Sequence, residues 1–132
     1  MKRLLLDTGV IIGFERKTID PADVVSANDD VAISVITAGE LLHGVELADA
    51  ARRPTRSAWV ETILAAFGVE EITLPVARVH AALAADSQRQ GFTRGAYDLL
   101  IAATASATNR TLITTDGKAG FDQLPGVTCR VI

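Results

Sequence analysis

The sequence predicts an α/β fold, in which helices sandwich a central, mostly parallel β-sheet and a helical hairpin follows the second strand. Three observations support it. Short apolar or β-branched runs recur at residues 3–6, 31–36, 71–74, 111–115 and 127–132. Between them lie longer stretches with apolar residues at helical spacing. Strands that alternate with helices in this way are joined by crossovers, which pair them in parallel and place the helices on the sheet faces. A length of 132 residues is that of one compact unit, so residues 1–132 are expected to form a single domain.

Residues 3–6 form a short strand that stops at Asp7-Thr8, and residues 10–16 a short helix with Thr8 near its N-cap. Turn residues follow at Asp20-Pro21 and Asn28-Asp29-Asp30. The β-branched run 31–36 is expected to be a buried strand, and Thr37 to start a helix carrying Leu41, Leu42, Val45 and Ala48 on one face. Arg52-Arg53-Pro54 ends it. A second amphipathic helix carries Trp59, Val60, Ile63, Leu64 and Phe67 and stops at Gly68, so that the two make a hairpin. Residues 71–74 read as a third strand, and 75–90 as a helix packed through Val76, Val79 and Leu83 and closed by Gly91. Thr93 is expected to cap a helix running to about Thr108 that buries Leu99, Leu100 and Ala103. Strands over 111–115 and 127–132 complete the pattern.

With 48% apolar and 22% charged residues, the chain can bury a substantial core and does not have a disordered composition. Asp7 cuts the opening apolar run short of a secretory h-region, and no later stretch is long enough to span a bilayer without a charge. Cys129 is the only cysteine, which rules out an intramolecular disulfide and a cysteine zinc site. A cytoplasmic location without membrane attachment is the expectation. The net charge of −3 argues against a general nucleic-acid coat. It leaves a nuclease open, because acids gathered at a metal site lower the net charge while a local basic rim can still hold phosphates. Candidates for that rim are Arg52, Arg53, Arg56, Arg89, Arg94 and Lys118, each of which could equally be ordinary solvated surface charge.

The strongest signal is the placement of four acids. Asp7 and Asp116 directly follow the first and fourth strands, Glu40 lies in the first turn after the second, and Asp98 lies early in the Thr93 helix. Ligands of open α/β sheets gather beyond the carboxyl ends of the strands. Four carboxylates brought together there would repel one another and raise one another's pKa values unless a cation neutralised them. An all-oxygen site suits a hard ion, Mg²⁺ or Mn²⁺, and such ions activate water for attack on phosphodiesters. Each acid also has a local explanation. Asp7 or Asp116 could end its strand in an Asx turn, Asp98 could complement a helix dipole, and Thr37-Ala38-Gly39-Glu40 spells a capping box. Capping does not explain why acids recur at one edge.

Leu5-Leu6-Asp7-Thr8-Gly9-Val10-Ile11-Ile12, Ile33-Ser34-Val35-Ile36-Thr37-Ala38-Gly39-Glu40-Leu41-Leu42-His43-Gly44, Tyr97-Asp98-Leu99-Leu100-Ile101-Ala102-Ala103-Thr104-Ala105 and Leu112-Ile113-Thr114-Thr115-Asp116 together resemble PIN domains, specifically the VapC toxins of bacterial toxin–antitoxin pairs. The resemblance spans essentially the whole chain. It implies a PIN-like α/β/α sandwich, a Mg²⁺- or Mn²⁺-dependent endoribonuclease acting on structured RNA such as tRNA or rRNA, a homodimer, and a cognate VapB-like antitoxin. Asp7, Glu40, Asp98 and Asp116 match the family's acidic quartet, and Thr8 and Thr115 match its hydroxyl positions beside the acids. Two positions depart from the pattern. Gly9 stands where relatives often carry Asn, and Gly120 where many place an acid before the residue matching Phe121.

Leu6-Asp7-Thr8-Gly9 is also the signature of aspartic proteases, but those are nearly all-β and the helical periodicity rejects them. A receiver domain would need a lysine after a late strand, where Lys118 is poorly placed. Glu40 and His43 have the spacing of a di-iron helix motif, which that chemistry needs twice and which occurs once. His80 reads as packing or surface, and Trp59 as core or interface. A non-enzymatic reading stays open, in which the chain is the protein-binding half of a toxin–antitoxin repressor complex.

Overall fold

The computed structural model describes residues 1–132. In chain order the elements are β1 (Arg3–Leu6), α1 (Thr8–Glu15), β2 (Asp30–Ser34), α2 (Val35–Leu47), α3 (Arg53–Ala66), β3 (Gly68–Glu70), α4 (Leu74–Gln90), α5 (Ala96–Ala107), β4 (Thr111–Thr114) and β5 (Cys129–Val131). Short 3₁₀ turns lie at Pro21–Asp23, Gly117–Ala119 and Phe121–Gln123. The five strands pair in the order β3-β2-β1-β4-β5, and every pairing is parallel. The expected α/β sandwich and the α2/α3 hairpin are both present.

Alternation along each strand divides the core between the two sheet faces, because successive side chains of a strand point to opposite sides. Leu4, Leu6, Ile33 and Ile113 pack with Val10 and Ile11 of α1, Leu41 and Val45 of α2, and Val60 and Ile63 of α3. Leu5, Ala32 and Leu112 pack on the other face with Val76 and Leu83 of α4, Leu99 and Ile101 of α5, and Phe121. Burying a Leu or Ile side chain stabilises by about 1.5–3 kcal/mol, so the strands are held by these two layers more than by strand propensity.

Several element boundaries differ from those the sequence suggests, each for a local reason. α1 starts at Thr8, with Asp7 as N-cap. β2 ends at Ser34, whose hydroxyl accepts from the N–H of Ile36 at 3.1 Å. That cap turns Val35 and Ile36 into helix despite their β-branched side chains, and Thr37 is buried inside α2 where it begins nothing. β3 lies at residues 68–70, and the predicted strand 71–74 is instead the lead into α4, capped by Thr73. Gly68 opens β3 opposite Ala32, and Phe67 caps α3 in extended conformation. Gly91 closes α4 as expected, in the left-handed region with φ of 69°. α5 starts at Ala96 with Gly95 at its N-cap, so Thr93 caps nothing. β4 stops at Thr114, and β5 is confined to 129–131.

A buried arginine that the sequence does not single out ties the sheet together. Arg110, 8% exposed, donates from Nη1 to the carbonyl of Asp30 at 2.9 Å and to its Oδ1 at 3.0 Å, and from Nε and Nη2 to Glu70 Oε1 at 3.2 and 3.0 Å. One guanidinium, set just before β4, thereby joins β2 to β3, and Arg3 adds a second cation on Asp30. Removing Arg110 leaves Glu70 without a cation and Asp30 with Arg3 alone, a change that costs about 3–5 kcal/mol in full burial and less where, as here, the acids keep some solvent. Arg110→Met is therefore expected to lower the unfolding free energy by about 2–3 kcal/mol in urea denaturation at neutral pH. A change below about 0.5 kcal/mol would place the arginine outside the stabilising framework.

Candidate active site

β1 and β4 are neighbours, but the chain reaches β2 and β3 on one side of β1 and β5 on the far side of β4. The strand order reverses between them, and such a reversal opens a crevice at the carboxyl ends of the strands. Asp7 leaves β1 at this point, its N–H continuing the ladder to the carbonyl of Ile113 at 2.9 Å. Asp116 lies two residues beyond the end of β4. α2, packed on one face, contributes Glu40, and α5, packed on the other, contributes Asp98 in its first turn.

Hydrogen bonds fix three of the four carboxylates. Asp7 Oδ1 accepts from the N–H of Thr8 at 2.8 Å, and Oδ2 from the Thr114 hydroxyl at 2.7 Å. Thr114 Oγ1 also accepts from the N–H of Asp116 at 3.0 Å, linking the two strand ends. Asp116 Oδ1 accepts from the N–H groups of Lys118 and Ala119 at 3.0 and 3.1 Å. Glu40 Oε1 accepts from the Thr8 hydroxyl at 2.7 Å, and Thr37 Oγ1 lies 3.1 Å from that hydroxyl. Glu40 therefore reaches forward to α1, and the capping box suggested by Thr37 and Glu40 does not form. For Asp116 the Asx-type turn is present, through the Lys118 N–H, whereas Asp7 accepts from the adjacent Thr8 N–H and forms no such turn.

Asp98 is the exception. Its carboxyl is pushed above the usual carboxylate range by burial first, then by the charges of Asp7, Asp116 and Glu40. Those charges reach Asp98 from the ends of β1 and β4 and from α2. As they stand, no three of the four acids lie close enough together to hold a metal ion, so an ion would have to draw the carboxylates inward. The donor set is oxygen only, its charges repel, and Asp98 carries the uncompensated repulsion. This fits an open site for a hard divalent cation, one that keeps much of its water and takes further ligands from a substrate phosphate.

The supporting residues are placed less uniformly. Thr8 sits beside the acids as expected. Thr115 is exposed and makes no hydrogen bond to an acid, its Oγ1 lying 2.5 Å from where a side chain on Gly9 would begin. The hydroxyl beside the acids belongs to Thr114, which is fully buried. A polar residue ending an apolar strand was the signal for it, one position earlier than the resemblance suggested. Among the basic candidates, Arg53 donates to the carbonyls of Glu46 and Ala48, Arg56 pairs with Glu15 at 3.3 Å, and Arg52 lies 3.8 Å from Asp49. All three stand beyond the far end of α2, about 12 Å of helical rise past Glu40, and Arg52 and Arg56 line an open groove of about 800 Å³ with Leu47, Ala48 and Trp59. Arg94 is turned inward, onto Ser87, Ala119 and Gly120. Arg89, in the last turn of α4, and Lys118, beside Asp116, are exposed.

The PIN domain family matches residues 4–127. The chain belongs to the PIN-domain family. Within it, this PIN domain is 31% identical over 123 residues to the ribonuclease VapC of Rickettsia bellii (strain RML369-C), covering 92% of this chain and 90% of that protein. It superposes with a TM-score of 0.87 on a chain of the VapBC2 complex of Rickettsia felis bound to a fragment of its promoter DNA, at 23% identity and 98% coverage of both chains. A chain of VapBC-5 from Mycobacterium tuberculosis, a toxin–antitoxin system, gives a TM-score of 0.79 at 26% identity, again covering 98% of both chains.

The raised Asp98 carboxyl has a consequence for stability. A group whose pKa rises on folding holds its proton more tightly in the native state. Stability therefore falls as pH climbs from the ordinary value of 3.8 toward the raised one, and stays lower above it. Asp98→Asn removes that loss. In chelator, its melting temperature at pH 7 should equal or exceed that of the parent, with the advantage shrinking toward pH 4. A variant that melts well below the parent at pH 7 would make Asp98 a structural carboxylate.

Proposed function

We propose that this PIN domain is a metal-dependent endoribonuclease, the toxin of a toxin–antitoxin pair, and that Asp7, Asp98 and Asp116 hold Mg²⁺ or Mn²⁺ with Glu40 beside them. The observation that carries the reading is the placement of four carboxylates, from the strand ends and from both helical layers, at the β1/β4 reversal, with the Asp98 carboxyl pushed up by burial and then by the charges of the other three. The similarity to a protein named ribonuclease VapC supports the substrate class. When bound, the ion supplies an activated water and neutralises charge on the departing oxygen.

The protein's own groups do the rest of the positioning. Thr114 and the Thr8 N–H orient the Asp7 carboxylate, while the Lys118 and Ala119 N–H groups leave Asp116 Oδ2 free toward the crevice. The Thr8 hydroxyl holds Glu40 by one oxygen, leaving Oε2 to accept a proton from an attacking water. Of the six basic candidates, Lys118 and Arg89 are exposed with no hydrogen-bond or ion-pair partner for the side chain and remain candidates for phosphate contact, and Arg52 is a third, at the distant groove. The substrate we infer is a structured RNA such as tRNA or rRNA, and the setting a cytoplasmic homodimer. No helix is long and apolar enough to cross a membrane.

Purified protein with Mg²⁺ or Mn²⁺ is expected to cut RNA leaving 5′-phosphate and 3′-hydroxyl ends, because a metal-activated water makes the 2′-hydroxyl unnecessary as nucleophile. Asp7→Asn or Asp98→Asn should lower the rate at least about a hundredfold. Equal cleavage in EDTA, or 2′,3′-cyclic phosphate products, would refute the mechanism.

Solved relatives that are toxin–antitoxin complexes support a VapB-like antitoxin for this chain. The groove at Leu47, Ala48 and Trp59 offers apolar surface for its packing, and the acid crevice is a receptor for a guanidinium, which stays charged at any cellular pH. Deleting the partner's basic tail should abolish inhibition of cleavage while titration by Trp59 fluorescence shows most of the affinity retained. Full inhibition by the shortened partner would exclude plugging of the site.

A further inference from the structure

Arg94 is the residue whose contacts least resemble the surface role its charge suggests. Nε donates to the carbonyl of Ala119 at 2.9 Å, Nη1 to the Ser87 hydroxyl at 2.9 Å and Nη2 to the carbonyl of Gly120 at 3.0 Å. Its guanidinium lies over the Phe92 ring, 4.0 Å from the centroid. Ser87 is buried in α4, Arg94 itself stands four residues before Asp98 in the loop that leads into α5, and residues 119–120 belong to the loop after Asp116. One side chain thus fastens three segments, two of which end on an acid of the site.

The Asp116 loop needs such a fastening. Its 3₁₀ turn is three residues long, and apart from Arg94 its inner end is held by Asp116 accepting from Lys118 and Ala119. Gly120 turns there with φ of 64°, a conformation that favours glycine, and a methyl added to it would meet Arg94 Nη2 at 3.2 Å. The close approach and the two carbonyls aimed at one guanidinium form a fitted seat. A lysine carries its three donors on one nitrogen and cannot span all three acceptors, which three separate guanidinium nitrogens reach in fixed divergent directions.

We propose that Arg94 is a positioning residue for the acid site, a clasp that holds the Asp116 loop against the entry to the Asp98 helix and so fixes the spacing of these two carboxylates. Its consequence for catalysis rests on the ribonuclease reading; its consequence for the loop does not. Misplacing reacting groups by about 1 Å can cost about a hundredfold in rate.

The test compares Arg94→Ala and Arg94→Lys with the parent by amide hydrogen exchange and by RNA cleavage. Exchange at Lys118 and Ala119 should accelerate at least about tenfold in both variants, with the amides of β1 and α2 unchanged. On RNA, kcat should fall about ten- to a hundredfold with KM within about twofold, and lysine should not rescue. Unchanged exchange at these two amides would overturn the proposal. So would a raised KM and a weakened salt dependence at constant kcat, the signature of a phosphate contact. If the parent itself cuts no RNA, the functional reading fails while the exchange data still decide the clasp. Should Arg94→Ala not fold, Gly120→Ala, which intrudes on the same seat from the other side, should accelerate the same two amides, and its failure to do so would equally overturn the clasp.

Discussion

The reversal of strand order between β1 and β4 is the constraint on which the remaining features depend. Two parallel strands whose onward connections leave in opposite directions cannot have their carboxyl ends covered by the same helix, so a crevice remains there. Asp7 and Asp116 are the residues that leave the sheet at that gap. The helical layers then complete the set from opposite faces, Glu40 by way of α2 and Asp98 by way of α5. The alternation of Leu4, Leu5 and Leu6 between the faces is therefore also what aims an acid from each layer at the same opening.

Gathering negative charge at that opening is unfavourable, and the fold answers it unevenly. Two like charges about 6 Å apart repel by about 3 kcal/mol at the effective dielectric of a protein surface. A hydrogen bond donated to a charged group returns about 1.5–3 kcal/mol, so one or two donors roughly offset one such repulsion. Asp7, Glu40 and Asp116 each receive at least one, from Thr8, Thr114 and the Lys118 and Ala119 amides. Asp98 receives none from a side chain or a loop amide, and its carboxyl is pushed up by burial and then by the charges of the others. An unmet electrostatic demand localised on one carboxylate, in a set of oxygen donors, is what a divalent cation would meet.

Topology and the acid quartet were legible in the sequence because both depend on periodicity and order, which single residues carry. Boundaries were less so where a side chain's partner is distant. Ser34 caps α2 three residues before the capping box that Thr37 and Glu40 spell, and Glu40 is free for the crevice because Thr8, 32 residues away, holds it. Thr115 and Thr114 are adjacent and chemically identical, and only the strand's pleat decides which of them faces Asp7. Arg94 and Arg110 read as two more cations in the sequence. Their roles come from carbonyls and carboxylates supplied by segments remote in the chain, and carbonyls leave no mark in an amino-acid code.

The two glycines that depart from the family pattern obey a common logic. A side chain at Gly9 would begin 2.5 Å from Thr115 Oγ1, and one at Gly120 would begin 3.2 Å from Arg94 Nη2. In each case the space a larger residue would take is filled from another segment, Thr115 in the β4 loop for the first and Arg94 in the α5 loop for the second. At both positions a side chain from another segment occupies the room that a Cβ would need. Gly9 lies in the first turn of α1 beside Asp7 and Gly120 in the loop after Asp116, and neither takes the place of a carboxylate of the site. Variation in this rim can therefore alter how the acids are held while the charge that defines the site stays in place.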